Sequence, residues 1–259
     1  MTEHISVKQD GAIMRLGFNR PEKRNAITAE MYGALADGLV AADQDPAIRV
    51  VLFESTGDIF TAGNDIADFM SGNSSPTDTH DAPPVVRFLE AIALAEKPLI
   101  AAVQGGAVGV GVTMLLHCDL VFAAESATFH TPFVDLGLVP EAASSLLMPA
   151  NIGHQLAAEM LIAGKKIDAV RAREFGFVNK IVPAGDLAAT ATREAEAIAA
   201  KAPTAVRLTK KLMKGDLSPA LARMKEEGSL FASQLQSAEF REAGMAFMQK
   251  RKPDFSNLG

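Results

Sequence analysis

Two short segments rich in small residues each follow a run of strand-like apolar residues. Phe60-Thr61-Ala62-Gly63-Asn64-Asp65-Ile66 comes after Val-Val-Leu-Phe at 50–53, and Gly105-Gly106-Ala107-Val108-Gly109-Val110-Gly111 comes after Leu-Ile-Ala-Ala-Val at 99–103. Small residues permit unusual backbone torsions and let a ligand approach the main chain, so N–H groups from two separate loops can converge on one oxygen. The second segment also opens a helical run over 110–116, whose free N-terminal amides favour negative charge. Together the two segments suit a carbonyl about to become an enolate. A glycine-rich turn after a strand serves tight helix–strand packing or a dinucleotide site equally well when taken alone. The dinucleotide reading requires an acidic residue closing a second strand about 20 residues on. Here the loop sits mid-chain, and Glu125 follows Ala123-Ala124 instead.

Glu141 lies in Leu-Val-Pro-Glu-Ala-Ala-Ser-Ser at 138–145, before an expected helix over 142–149. A helix dipole favours an acidic side chain there, and apolar neighbours such as Phe133 would raise its proton affinity if it serves as a base. Asp65 can cap the helix expected around 66–70 or act as a base. His80 reads as solvent-exposed. The single cysteine, Cys118, excludes an internal disulfide and reads as buried within 115–121, with His117 as its one basic neighbour. No zinc-like Cys/His spacing is present, so no metal is expected.

These groups need a scaffold, and the first half of the chain supplies an α/β pattern. Strands are expected at 5–7 and 12–18 around a turn at Asp10-Gly11, then at 50–53, 99–103 and 120–123; Thr28 is positioned to cap a helix reaching about Ala42. Helical patterns intervene around 66–70, 85–95 and 109–116. Residues 71–84 lack apolar periodicity and read as a surface loop, either a lid over the ligand or a plain connection. From Ala142 onward the pattern is helical apart from a strand-like 177–182. Leu221, Met224, Leu230, Phe231 and Leu235 fall on one helix face, and Phe240, Met245, Phe247 and Met248 on parts of another.

Composition narrows the function classes. A chain of 259 residues that is 48% hydrophobic can bury a substantial core. Its net charge of −6 argues against nonspecific nucleic-acid binding, which needs a basic surface. No apolar run reaches the roughly 18 residues of a membrane span, and no secretory pattern opens the sequence, so no membrane partner and a cytoplasmic location are expected.

The two glycine segments, with Asn19-Arg20-Pro21-Glu22-Lys23-Arg24-Asn25-Ala26-Ile27 and Thr131-Pro132-Phe133-Val134-Asp135-Leu136-Gly137-Leu138-Val139-Pro140-Glu141, fall in the order and spacing of the enoyl-CoA hydratase/isomerase (crotonase) superfamily. The resemblance runs from about residue 5 to 255. It implies an α/β fold, a crotonase-like spiral of repeated ββα units over 1–195, with a C-terminal helical region over 196–259 for trimer assembly and completion of the coenzyme A site. It implies an acyl-CoA substrate, no separate cofactor because coenzyme A is part of that substrate, and a homotrimer or dimer of trimers.

By position in the family motifs, the oxyanion donors are the backbone N–H groups of Asn64 and Val110. The two water-activating glutamates of the family's hydratases correspond to Thr113 and Phe133 here, and neither can act as a general base. Asp135, two residues beyond Phe133, is not a positional substitute. Glu141 resembles the proton-carrying glutamate of peroxisomal-type Δ3,Δ2-enoyl-CoA isomerases, where one carboxylate suffices. The resemblance assigns coenzyme A contacts to Lys23, Arg24, Ala26, Ala62, Asp65 and Ile66, with Lys23 and Arg24 facing phosphate charge; the Lys250-Arg251-Lys252 run is either further charge for that ligand or a solvated surface. Isomerisation is the leading expectation. The alternatives are hydration by Glu141 with Asp135, nucleophilic attack from the Glu141 position, and a silent acyl-CoA-binding paralogue.

Overall fold

The computed structural model describes residues 2–65 and 82–258. The expected helix around 66–70, most of the 71–84 loop, Ile66 and His80 lie outside these residues. The chain begins as a hairpin, β1 (Ile5–Asp10) antiparallel to β2 (Ile13–Phe18), turning at Gly11 with φ 59°. Thr28 then caps α1 (Ala29–Gln44), its side chain accepting from Met31 N–H. The chain continues through β3 (Val50–Ser55), α2 (Pro84–Leu94), β4 (Leu99–Val103), β5 (Gly106–Val108), α3 (Val110–Thr113), β6 (Leu120–Ala124) and β7 (Thr128–His130). Next come α4 (Ser144–Ile152), α5 (His154–Leu161), β8 (Ile167–Asp168), α6 (Ala169–Glu174), β9 (Lys180–Val182) and α7 (Leu187–Ala199). Three further helices follow: α8 (Pro203–Lys214), α9 (Ser218–Gln234) and α10 (Ala238–Met248).

Six strands form one sheet in the order β1-β2-β3-β4-β6-β9, parallel from β2 onward, while β5, β7 and β8 form a second, smaller sheet. The near-continuous apolar runs of β3 and β4 follow from this arrangement, because parallel strands are buried on both faces. Alternate residues divide between two cores. Val51, Phe53, Leu99, Ala101 and Val103 join α1 and α2 in the larger one. Val50, Leu52, Ile100 and Ala102 face Leu187, Ala191 and Ala195 of α7 in the smaller one.

Several expected boundaries shift. The second glycine segment is not wholly a loop, since residues 106–108 pair with 128–130 as strand β5. The helical run after it is one α turn followed by the 3-10 turn Met114–His117. The strand expected at 177–182 is shortened to β9. Of the two expected C-terminal apolar faces, Phe231, Leu235 and Phe240 pack on the larger core, whereas Leu230, Met245 and Met248 are exposed. No helix among the described residues is long and apolar enough to cross a membrane.

Candidate active site

The two glycine segments are zipped together by their backbones. Phe60 N–H donates to Gly106 O at 3.0 Å, and Val108 N–H to Thr61 O at 3.0 Å. Only glycine fits at two of the contacts. Gly63 has φ +85°, and a Cβ there would stand 2.8 Å from Val108 O; one on Gly105 would stand 1.9 Å from Asp58 O. A parallel bridge then joins Ile27 to Asn64, using Gly63 C=O and Asp65 N–H and so turning Asn64 N–H to the opposite side. Val110 is the first residue of α3, where a helical N–H has no partner within its own helix. Among the described residues, neither Asn64 N–H nor Val110 N–H donates to a protein acceptor. Both residues line one cavity of about 730 Å³. The Asn64 side chain is held in turn by the hydroxyl of Tyr32, which donates to Asn64 Oδ1.

Thr113 lies one helical turn from Val110 along α3 and ties Glu141 to that helix. The Thr113 hydroxyl, at the end of α3, donates to Glu141 Oε1. Thr113 is fully buried and Glu141 is 8% exposed; neither lines the cavity itself, whose wall is formed here by Val110, Phe133 and Leu138. Burial pushes the Glu141 carboxyl up to about 7, with the Thr113 hydrogen bond opposing and the charge of Glu227 adding to the rise. A carboxyl that titrates near neutrality can both accept and return a proton.

The turn carrying Glu141 is unusual. Ala142 and Ala143 have φ values of 61° and 57°, left-handed torsions that cost a residue with a Cβ about 1–2 kcal/mol each. Helix α4 consequently starts at Ser144, not at Ala142 as the sequence pattern suggests, so Glu141 precedes its first turn. The helix-dipole reading of Glu141 is corrected by this placement, because that position is taken by Glu227 of α9. Glu227 accepts from Ala143 N–H at 2.6 Å, Ser145 N–H at 2.9 Å and the Ser145 hydroxyl at 2.5 Å. His117 holds the other side of the turn, its Nε2 lying 2.9 Å from Ala142 O. A carbonyl only accepts, so this nitrogen is the donor, and burial pushes the imidazole down to about 4, keeping it neutral.

Lys23 and Arg24 line the cavity together with Ala26, Ala62 and Asp65, all expected contacts; Ile66 falls outside the described residues. Asn25 is fully buried and fixes this loop, donating to Thr56 O at 2.9 Å and Ile59 O at 2.8 Å. Lys23 and Arg24 are exposed and, among the described residues, enter no ion pair. The Asp65 carboxylate receives Arg20 Nη1 at 2.7 Å. Phe133, Leu136, Leu138, Phe231, Leu235 and Phe240 give the cavity an apolar end, without charged side chains among them.

Two further candidates stand apart. Asp135 is exposed and lies over Gly164, where an added Cβ would meet its Oδ2 at 2.5 Å, so it does not join Glu141. Burial pushes the Cys118 thiol up to about 12, which leaves it unreactive. Conversely, Tyr32, His117 and Glu227 do not stand out as site residues in the sequence. Glu227 alone leaves a trace there, a carboxylate set among Met224, Phe231 and Leu235 at helical spacing.

Comparison with known proteins places this geometry in context. The family model for enoyl-CoA hydratase/isomerase matches residues 8–257. Enoyl-CoA delta isomerase 2 of Rattus norvegicus is 35% identical over 252 residues, covering 96% of this chain and 64% of the rat protein. The chain therefore spans slightly less than two thirds of that relative. The 2,3-dehydroadipyl-CoA hydratase of Escherichia coli (strain K12) is 32% identical over 256 residues, covering 98% of this chain and 99% of that one. The crystal structure of an enoyl-CoA hydratase/isomerase from Pseudoalteromonas atlantica T6c is similar with a TM-score of 0.92 at 44% identity, covering 98% of this chain and all of that one.

Proposed function

The chain belongs to the enoyl-CoA hydratase/isomerase family and has its α/β spiral fold, and on that premise we propose that it is a Δ3,Δ2-enoyl-CoA isomerase with Glu141 as its single proton carrier. The thioester oxygen of a 3-enoyl-CoA accepts from Asn64 N–H and Val110 N–H. The ionised Glu141 carboxylate removes a C2 proton, the electron pair spreads over the dienolate with its charge on that oxygen, and the same carboxyl returns the proton to C4. The double bond moves from C3 to C2 with no net change in atoms or electrons. Each N–H donor contributes about 2.7–4 kcal/mol of transition-state stabilisation. Lys23 and Arg24, exposed in the cavity lining, meet the phosphates of coenzyme A.

One observation carries this reading over hydration. Water addition in the family uses two carboxylates, and the positions concerned hold Thr113, whose hydroxyl is committed to Glu141, and Phe133, buried on the cavity wall. A single carboxyl titrating near 7 suits proton relocation. The test supplies 3-enoyl-CoA and 2-enoyl-CoA separately and follows conjugated thioester absorbance and 3-hydroxyacyl product. The expected outcome is rapid conjugation of the first, little hydration of the second, and loss of isomerisation in Glu141→Gln. Efficient hydration with 3-enoyl-CoA left untouched, or full isomerase activity in Glu141→Gln, overturns the reading.

A further inference from the structure

We propose that Glu227, far along the chain on α9, is a positioning residue that fixes the direction in which the Glu141 carboxyl points. This rests in part on the isomerase reading above. Residue 143 is the N-cap of α4, and an alanine there has no side chain with which to satisfy the free amides of the first turn. Glu227 supplies the missing acceptor from another helix. One carboxylate oxygen takes Ala143 N–H, and the other takes Ser145 N–H and the Ser145 hydroxyl. Glu227 is only 4% exposed, and the nearby Arg223 pairs with Glu226 and donates to Ser145 Oγ at 3.1 Å. Its charge is thus balanced by backbone and hydroxyl donors, a charge-assisted set strong enough to hold two successive left-handed alanines in place. Those alanines follow Glu141 directly, so releasing them lets the carboxyl swing.

The groups around the Glu141 turn are few. Tyr32 approaches from α1, its neutral phenol bound to Asn64, and Thr113 approaches from α3. The neutral His117 binds Ala142 O, and α9 contributes Glu227 and Arg223. Of these, Glu227 is the charge that raises the proton affinity of Glu141. Its removal therefore moves the titration of Glu141 to lower pH as well as loosening its geometry.

The test compares full-length wild type, Glu227→Gln and Glu227→Ala. It uses kcat and KM for 3-enoyl-CoA, the pH profile of kcat/KM, and a carboxyl carbon-13 NMR titration of Glu141, assigned by loss of its signal in Glu141→Gln. Glu227→Gln keeps an acceptor but drops the charge. It is expected to lower kcat about tenfold with KM nearly unchanged, and to shift both the acid limb and the NMR midpoint to lower pH. Glu227→Ala is expected to lose kcat on the order of 100-fold. Folded variants that keep the wild-type kcat and midpoint overturn the proposal; if Glu227→Ala does not fold, Glu227→Gln decides alone. The NMR midpoint separates the two readings. A midpoint shift in a protein that does not isomerise leaves the contact of Glu227 with the Glu141 turn standing while the isomerase reading fails, and an unmoved midpoint with wild-type kcat in an active isomerase does the reverse.

Discussion

The Thr113 hydroxyl donates to Glu141 Oε1, and a hydrogen bond to a carboxylate stabilises its ionised form. That bond opposes burial, which drives the Glu141 carboxyl upward, and the balance lies at about 7. Since the proposed reaction begins from the carboxylate, kcat/KM is expected to rise with pH and level off above that value. Thr113→Val removes the donor while keeping the shape, so Glu141 becomes harder to ionise and the acid limb moves to higher pH. A bond to a charged group is worth about 1.5–3 kcal/mol, which corresponds to a shift of one unit or more. The loss of kcat/KM at pH 6 should therefore exceed the loss at pH 9. Thr113→Ser should restore the wild-type profile, and a limb that stays in place in Thr113→Val removes the hydroxyl from the account. The resemblance made Glu141 a candidate and placed Thr113 and Phe133 where a hydratase has carboxylates. The pairing of Glu141 with Thr113, 28 residues away, was not legible in the sequence, because no local periodicity relates the two positions.

Between β3 and α3 the two glycine segments act as lips whose spacing depends on backbone contact. Their strands were readable from unbroken apolar runs, whereas the close approach of the two segments at Gly63 and Gly105 was not, because their small residues read only as admitting a ligand to the main chain. Gly63→Ala places a Cβ 2.8 Å from Val108 O at a φ of +85°, which an alanine adopts only with strain, so the lips must part. The expected result is a kcat loss of roughly 100- to 1000-fold for 3-enoyl-CoA, the scale of one lost oxyanion donor, together with a lower melting temperature. Gly33→Ala serves as a control inside α1, where nothing lies within 4 Å of the added Cβ. It should keep kcat and raise stability by about 0.5–1 kcal/mol. Equal kcat in the two variants would count against the lips as the source of the donors. The start of α4 was placed two residues early by its sequence pattern. Ala142 and Ala143 are good helix formers, yet both are left-handed, with tertiary bonds from His117 to Ala142 O and from Ala143 N–H to Glu227.

Across the whole molecule, the C-terminal helices return to the cavity that the first half of the chain builds. Phe231 of α9, Leu235 just after that helix and Phe240 of α10 line its apolar end, and α10 sits so tightly on the turn after Phe133 that a Cβ on Gly137 would meet the Glu239 backbone at 2.9 Å. If this end receives the acyl chain, Phe240→Ala should shift the ratio of kcat/KM values toward longer 3-enoyl-CoA substrates. A chain-length series measures that ratio, and an unchanged preference would place the acyl chain elsewhere. The sequence by itself determined the alternation of apolar strands and helices and the two glycine segments that follow strands, each written in period or torsional need within a few residues; Glu141 entered as a candidate only through the resemblance of longer motifs. Only the tertiary structure decided that Thr113, His117, Tyr32 and Glu227 surround that carboxylate and its partner loop. Proton affinity and aim depend on burial and on neighbours brought from three distant stretches of chain, and the spacing of residues along a sequence carries no record of that meeting.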